Sequence, residues 1–130
     1  MKRSGVLHGE LSRLIAEAGH GDLIAIADCG LPVPPHVPLV DLAVTPGVPS
    51  FDDVLEAVLA ELVVEDFIAA EEWVKRDPAH MQQLRERVGT RGTLVSHDRL
   101  KNALQRARAV IRTGEFTPYA NVILVAGVAF

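Results

Sequence analysis

The sequence predicts an α/β domain, a three-layer and Rossmann-like arrangement around a mixed, mostly parallel sheet. Three observations predict it. Short, continuous apolar runs such as "LIAIAD" alternate with segments whose apolar residues recur at helical spacing, and short loops separate the two kinds. The core must be aliphatic, because 48% of the chain is hydrophobic and only 5% is aromatic, which suits strands buried on both faces. The 130 residues amount to one domain, 1–130, and a globule of that size buries roughly two-thirds of the surface its unfolded chain exposes.

Each element has its own warrant. Leu11, Leu14, Ile15 and Ala18 share a helical face and Gly19 follows as a C-cap, which predicts a helix over 9–18 that stops at "GHGD". "LIAIAD" is a buried strand. "CGLPVPPHVP" must be loop, since prolines cannot donate to a sheet ladder. "LVDLAV" reads as a second strand and "TPGVPS" as a turn. Ser50 and Asp53 resemble a capping box ahead of a face made by Val54, Leu55, Val58, Leu59 and Leu62. "DFIAA" is a strand. Residues 71–88 are helical in period but broken at Asp77-Pro78, where the proline ends one helix or opens another. "GTLVSH" is a strand running to Ser96, which caps a helix carrying Leu100, Leu104 and Ala107. Finally "AVIRTG" and "NVILVAG" are strands joined by "EFTPYA". So short a connection predicts antiparallel neighbours.

Charge and composition exclude several classes of function. Net charge is −4 and the 13 Lys and Arg are interleaved with acids, so no basic face is available for nucleic acid. No apolar run is long enough to span a bilayer, and "MKRSGVLHGELSRL" lacks the apolar stretch of a secretory leader, so a cytoplasmic protein without a membrane partner is expected. The five histidines form no H-x-H or H-x-x-x-H pair and Cys29 is the single cysteine, so no metal is expected. Phosphate-binding glycine motifs and the G-x-S-x-G elbow are missing, which argues against nucleotide cofactors and a serine nucleophile.

Ligands of open α/β sheets bind beyond the carboxyl ends of strands. Asp28, His97 and the Glu71-Glu72 pair fall at such ends. Asp28 either caps a turn with Gly30 or binds a ligand; His97 is a surface residue or a catalytic one; the two glutamates read as surface acids that complement a helix dipole. His20, between two glycines, is either a solvated turn residue or a functional imidazole. Tyr119 and Asn121 follow a proline in a turn. A phenol offers an apolar face and a hydroxyl, and an amide offers donor and acceptor, a combination suited to a polyol. A ring packed over its own turn is the alternative.

The segments "GHGD", "IADCGLPVP", "TPGVPSF", "SH" and "AVIRTGEFTPYANVILVAGV", in this order, resemble the D-ribose pyranase family of sugar mutarotases from Val6 to Phe130, and "IRTGEFTPYAN" is the most specific stretch. The resemblance implies a cofactor-free isomerase that interconverts pyranose and furanose D-ribose after import. It implies His20 as proton donor, with Asp28, His97, Tyr119, Ala120 and Asn121 binding the sugar. It also implies a homo-oligomer, a decamer of two pentameric rings. Two rival readings are a non-catalytic sugar-binding accessory of a ribose transport system and a mutarotase for another aldose such as fucose. Relatives carry Asn-Ser where this chain has His8 and Gly9, so the first helix loses its expected cap, and Cys29 stands in place of a common alanine. His20 precedes the first strand and Asp28 ends it; at about 3.3 Å per residue they lie some 20 Å or more apart if the segment is straight. Either the segment folds back sharply or different subunits furnish one pocket, and the ring that the resemblance implies favours the second.

Overall fold

Residues 1–130 are described by a computed structural model. Six strands form one sheet in the order β2-β5-β1-β6-β3-β4, with β1 Leu23–Ala27, β2 Leu39–Asp41, β3 Val64–Ala70, β4 Thr93–Val95, β5 Ala109–Arg112 and β6 Val122–Ala126. β5 runs parallel to both β1 and β2, and β3 runs parallel to β4. Only β6 is reversed, antiparallel to β1 on one side and β3 on the other. The sheet is thus mixed and mostly parallel.

Side-chain alternation along β1 divides the core. Ile24 and Ile26 face one layer, formed by α1 (Gly9–Glu17), α2 (Phe51–Leu59), α3 (Glu71–Arg76) and α4 (Pro78–Val88), which contribute Leu11, Leu14, Phe51, Leu55, Trp73, Met81 and Leu84. Ala25 and Ala27 face the other, where α5 (His97–Ala103), the 3-10 turn Leu104–Arg106 after it and the proline loop supply Leu100, Leu104, Leu31 and Val37. Small side chains on that face let the third layer approach closely. Burying one large aliphatic side chain contributes about 1.5–3 kcal/mol, so these two clusters hold the strands' register.

The helix termini follow their caps. Ser50 and Asp53 form the reciprocal capping box, Ser96 accepts from the Arg99 N–H, and Asp77 caps α4 with Pro78 at its first position. The missing cap of α1 is replaced in kind: His8 Nδ1 accepts the Leu11 N–H at 3.2 Å. The C-cap of α1 is Ala18, not Gly19, because the Gly19 N–H is taken by the Asp22 carboxylate at 2.8 Å. Strand β2 is shorter than "LVDLAV" because Asp41 Oδ1 captures the Ala43 N–H and turns the chain.

The expectation that the last two strands are neighbours is corrected. β5 and β6 are antiparallel in direction, but β1 lies between them. The connecting residues 113–121 have length enough to cross two strand spacings of about 4.8 Å each. They pass over the carboxyl end of β1 and are fastened to it: Thr113 N and Oγ1 both donate to Ala27 O, and Cys29 N donates to Glu115 O.

Candidate functional site

That crossing creates a cleft of about 410 Å³ at the carboxyl end of β1, bordered by Asp28, Cys29, His97, Glu115, Phe116 and Tyr119 among others. The strap 113–121 supplies one wall and the β1–β2 loop the other. It is the end of the sheet at which a ligand site was expected.

Within the cleft the chain is held in a strained turn. Ala120 N donates to Thr117 O, Pro118 sits at the second position, and Tyr119 at the third has φ 68, the sign a type II turn requires there and normally assigns to glycine. Tyr119 is the one non-glycine residue with positive φ. Left-handed backbone at a large side chain costs on the order of 1–3 kcal/mol and persists where surroundings enforce it. Its ring meets the His97 ring edge-on, with centroids 5.0 Å apart at 79°.

His97 opens α5, and its own N–H donates to Glu72 Oε2 at 2.9 Å. Its Nδ1 is buried without a partner. A buried N–H left unmet is more costly than an unmet lone pair, so the favoured neutral tautomer carries its proton on Nε2. The Asp28 carboxylate accepts the Gly30 N–H with Oδ1 and the Asn121 Nδ2–H with Oδ2, while the Asp28 N–H donates to Asn121 Oδ1. The turn-cap reading of Asp28 is thus observed, and each carboxylate oxygen retains acceptor capacity toward the cleft.

Asn121 is 1% exposed and lies beneath the cleft, with its amide engaged by Asp28. Ala120 is buried in the core and reaches the site only through its backbone. Asp28, His97 and Tyr119 border one cleft, with Ala120 and Asn121 supporting it. His20 is elsewhere. It sits at the other end of β1, where Gly21 N donates to Ala126 O, and its Nε2 lies 3.0 Å from Glu65 Oε2 with both side chains exposed.

The roles of two residues escaped the sequence reading. Glu72, taken for a surface acid, holds the start of α5; nothing in the sequence could link it to His97 across the β3–β4 crossover. Glu115 lies inside the "IRTGEFTPYAN" stretch, which was its only signal. Burial pushes its carboxyl up, but the N–H of Phe51, the hydroxyl and N–H of Thr117 and the nearby His80 outweigh that and hold it below its ordinary value. No group of three or more His, Cys, Asp or Glu side chains is gathered to hold a metal ion, and no helix is long and apolar enough to cross a membrane.

Comparison with known proteins extends these findings. Residues 1–129 match the RbsD / FucU transport protein family. The chain is 51% identical over 130 residues to the D-ribose pyranase of Paracidovorax citrulli (strain AAC00-1), with all of both chains covered. It is 50% identical over 133 residues to the D-ribose pyranase of Pseudomonas putida (strain W619), again covering both completely. Among solved structures it superposes on Bacillus subtilis RbsD complexed with D-ribose with a TM-score of 0.94, at 44% identity and complete coverage of both chains.

Proposed function

The chain belongs to the RbsD / FucU transport protein family, and from that premise we infer that it is an isomerase interconverting the pyranose and furanose forms of D-ribose. One observation carries the reading: identity of 51% across the full length of a protein named D-ribose pyranase. The likeness to a chain that holds D-ribose in its structure agrees with it.

The chemistry asks for little. The two forms differ in which hydroxyl is closed onto the anomeric carbon. Opening removes a proton from the anomeric hydroxyl and delivers one to the ring oxygen, leaving an open-chain aldehyde. After rotation the other hydroxyl attacks that carbonyl, loses its proton, and the former carbonyl oxygen gains one. No electron and no net proton is consumed. Acid-base help of this kind contributes roughly 10²–10⁴-fold, and an imidazole can give or accept the proton near neutral pH.

In this proposal His20 donates the proton to the ring oxygen. Asp28, His97, Tyr119, the backbone of Ala120 and Asn121 bind the sugar, and His97 or Asp28 receives the anomeric proton. The phenol face of Tyr119 suits sugar C–H groups and the Asp28 carboxylate suits a pair of hydroxyls.

Because His20 and the cleft occupy opposite ends of β1, a neighbouring subunit supplies His20 to each cleft. A head-to-tail contact of this sort closes into a ring when its rotation returns to the first subunit. Phe116, 65% exposed beside the cleft, and Val63, 42% exposed near the His20 end, are apolar surfaces that such a contact would cover. The assembly proposed is a decamer of two pentameric rings, working on imported ribose in the cytoplasm.

Ring-exchange NMR on ribose, fucose and other aldoses tests the activity: acceleration of pyranose to furanose exchange that is strongest for ribose is expected, and ribose binding without acceleration overturns it. A mixing experiment tests the shared site. His20→Ala and His97→Ala are each expected to be inactive, yet co-refolded mixtures regain activity because roughly a quarter of the clefts then hold both wild-type residues. Mixtures as inactive as their components, or a fully active monomer, defeat the shared site.

A further inference from the structure

Glu115 borders the cleft, yet its carboxylate is turned to the protein. Oε2 accepts the Phe51 N–H at 3.1 Å, and Oε1 accepts the Thr117 N–H at 3.2 Å and the Thr117 hydroxyl at 2.8 Å. Its backbone carbonyl accepts the Cys29 N–H at 3.0 Å, and its own N–H donates to Thr113 Oγ1 at 3.1 Å. One residue therefore joins three pieces: the carboxyl end of β1 with Asp28, the first turn of α2, and the turn that holds Tyr119 in its left-handed conformation.

The residue type fits the task. Three donors converge on the carboxylate, which is acceptor-only, and Phe51 opens a helix whose amino end favours negative charge. Glutamine would aim an N–H at one of these donors, and aspartate would be one methylene too short to reach both sides. With three charge-assisted donors already in place, the carboxylate has little basicity left for a substrate proton.

We propose that Glu115 is a positioning residue for the ring-exchange reaction, setting sugar affinity by fixing the Asp28 end of β1 against the Tyr119 turn. The inference rests on the proposed function above and assigns Glu115 no proton to carry. Small displacements matter here, since a shift of about 1 Å in a positioned group can cost on the order of 10²-fold.

The experiment compares the intact wild-type protein with Glu115→Gln and with Ser50→Ala, which removes the cap of α2 but leaves Glu115 in place. Ring exchange as a function of ribose concentration gives KM and kcat. Tyr119 is the sole tyrosine, so ring-labelled tyrosine yields one set of NMR signals that reports its packing on His97. Expected for Glu115→Gln is a KM roughly tenfold higher, a smaller change in kcat and displaced Tyr119 signals. Ser50→Ala should lower the melting temperature while KM and the Tyr119 signals stay put. If Glu115→Gln does not fold, Thr117→Val, which deletes only the hydroxyl donor, is expected to move KM and the Tyr119 signals in the same direction by less. Wild-type KM and unmoved Tyr119 signals in Glu115→Gln and Thr117→Val overturn the proposal. So does a Ser50→Ala variant that reproduces the KM rise, or a Glu115→Gln variant that loses kcat alone. Wild-type protein that fails to accelerate ribose exchange defeats the function itself, and the Tyr119 signals then still report whether Glu115 holds the turn.

Discussion

Asn121 is the residue on which the cleft's carboxylate depends. It satisfies the Asp28 backbone N–H and one carboxylate oxygen at once, each at 2.8 Å, from a position 1% exposed. Truncating it leaves two polar groups unmet, at about 1–3 kcal/mol for a buried donor or acceptor. Asn121→Ala should therefore lose roughly 2 kcal/mol of stability in urea denaturation at fixed protein concentration, with ribose affinity falling as Asp28 swings free. A loss of only a few tenths would mean that Asp28 is held by Gly30 alone. Residue types told part of this beforehand: Tyr119, Asn121 and Asp28 were each singled out, and the structure gathers them at the carboxyl end of β1. That Asn121 serves Asp28 was not legible, because residues 93 positions apart are joined only by sheet order.

At the scale of elements, the decisive one is the strap 113–121, and the sequence misled there for a definite reason. A short connection between two apolar runs reads as a hairpin, but a hairpin needs its strands to pair with each other, and both β5 and β6 pair with β1. The strap crosses β1 because Thr113 binds Ala27 and Gly114 lies against the 45–49 turn, where Gly47 N donates to Gly114 O and Gly114 N to Pro49 O at 2.8 Å. A methyl on Gly114 would stand 2.5 Å from Val48 O and 2.7 Å from Thr45 O, both backbone atoms that cannot rotate away. Gly114→Ala should cost on the order of 1–3 kcal/mol, the range of overpacked sites, and weaken ribose binding by tilting the strap that carries Tyr119. A variant with wild-type melting temperature and wild-type affinity in an NMR titration would show the strap to be more pliable than its hydrogen bonds imply. Helix starts, by contrast, were legible at Ser50 and Ser96 because their caps are local, while helix ends were not: α2 stops at Leu59 short of Leu62, and α5 stops at Ala103 short of Leu104 and Ala107.

For the whole molecule, layering was readable from the alternation of strand and helix, and strand order was not, since order is set by backbone pairing between segments far apart in the chain, with β5 and β6 both on β1. The same assembled state determines how the protein meets acid. Backbone N–H of Gly19 and the Arg108 guanidinium hold Asp22 below its ordinary 3.8, the Arg112 guanidinium holds Asp41 below the same value, and Glu115 is held below 4.5. A carboxyl whose folded pKa is depressed is protonated more readily in the unfolded chain. It therefore contributes stability above its unfolded value that is lost as pH falls through the folded one. Melting temperature should accordingly be insensitive to these groups at neutral pH and decline below about pH 4.5, Glu115 first and the two aspartates after it. Salt separates them. The Asp22–Arg108 and Asp41–Arg112 pairs are substantially exposed, so about 1 M salt, with a Debye length near 3 Å, should mute their share. Glu115 is held mainly by backbone N–H groups and a hydroxyl and should keep its share. At high salt, then, Glu115→Gln should show a shallower acid decline than wild type in thermal melts from pH 6 to 3; identical slopes would mean that the strap opens before its carboxylate is protonated.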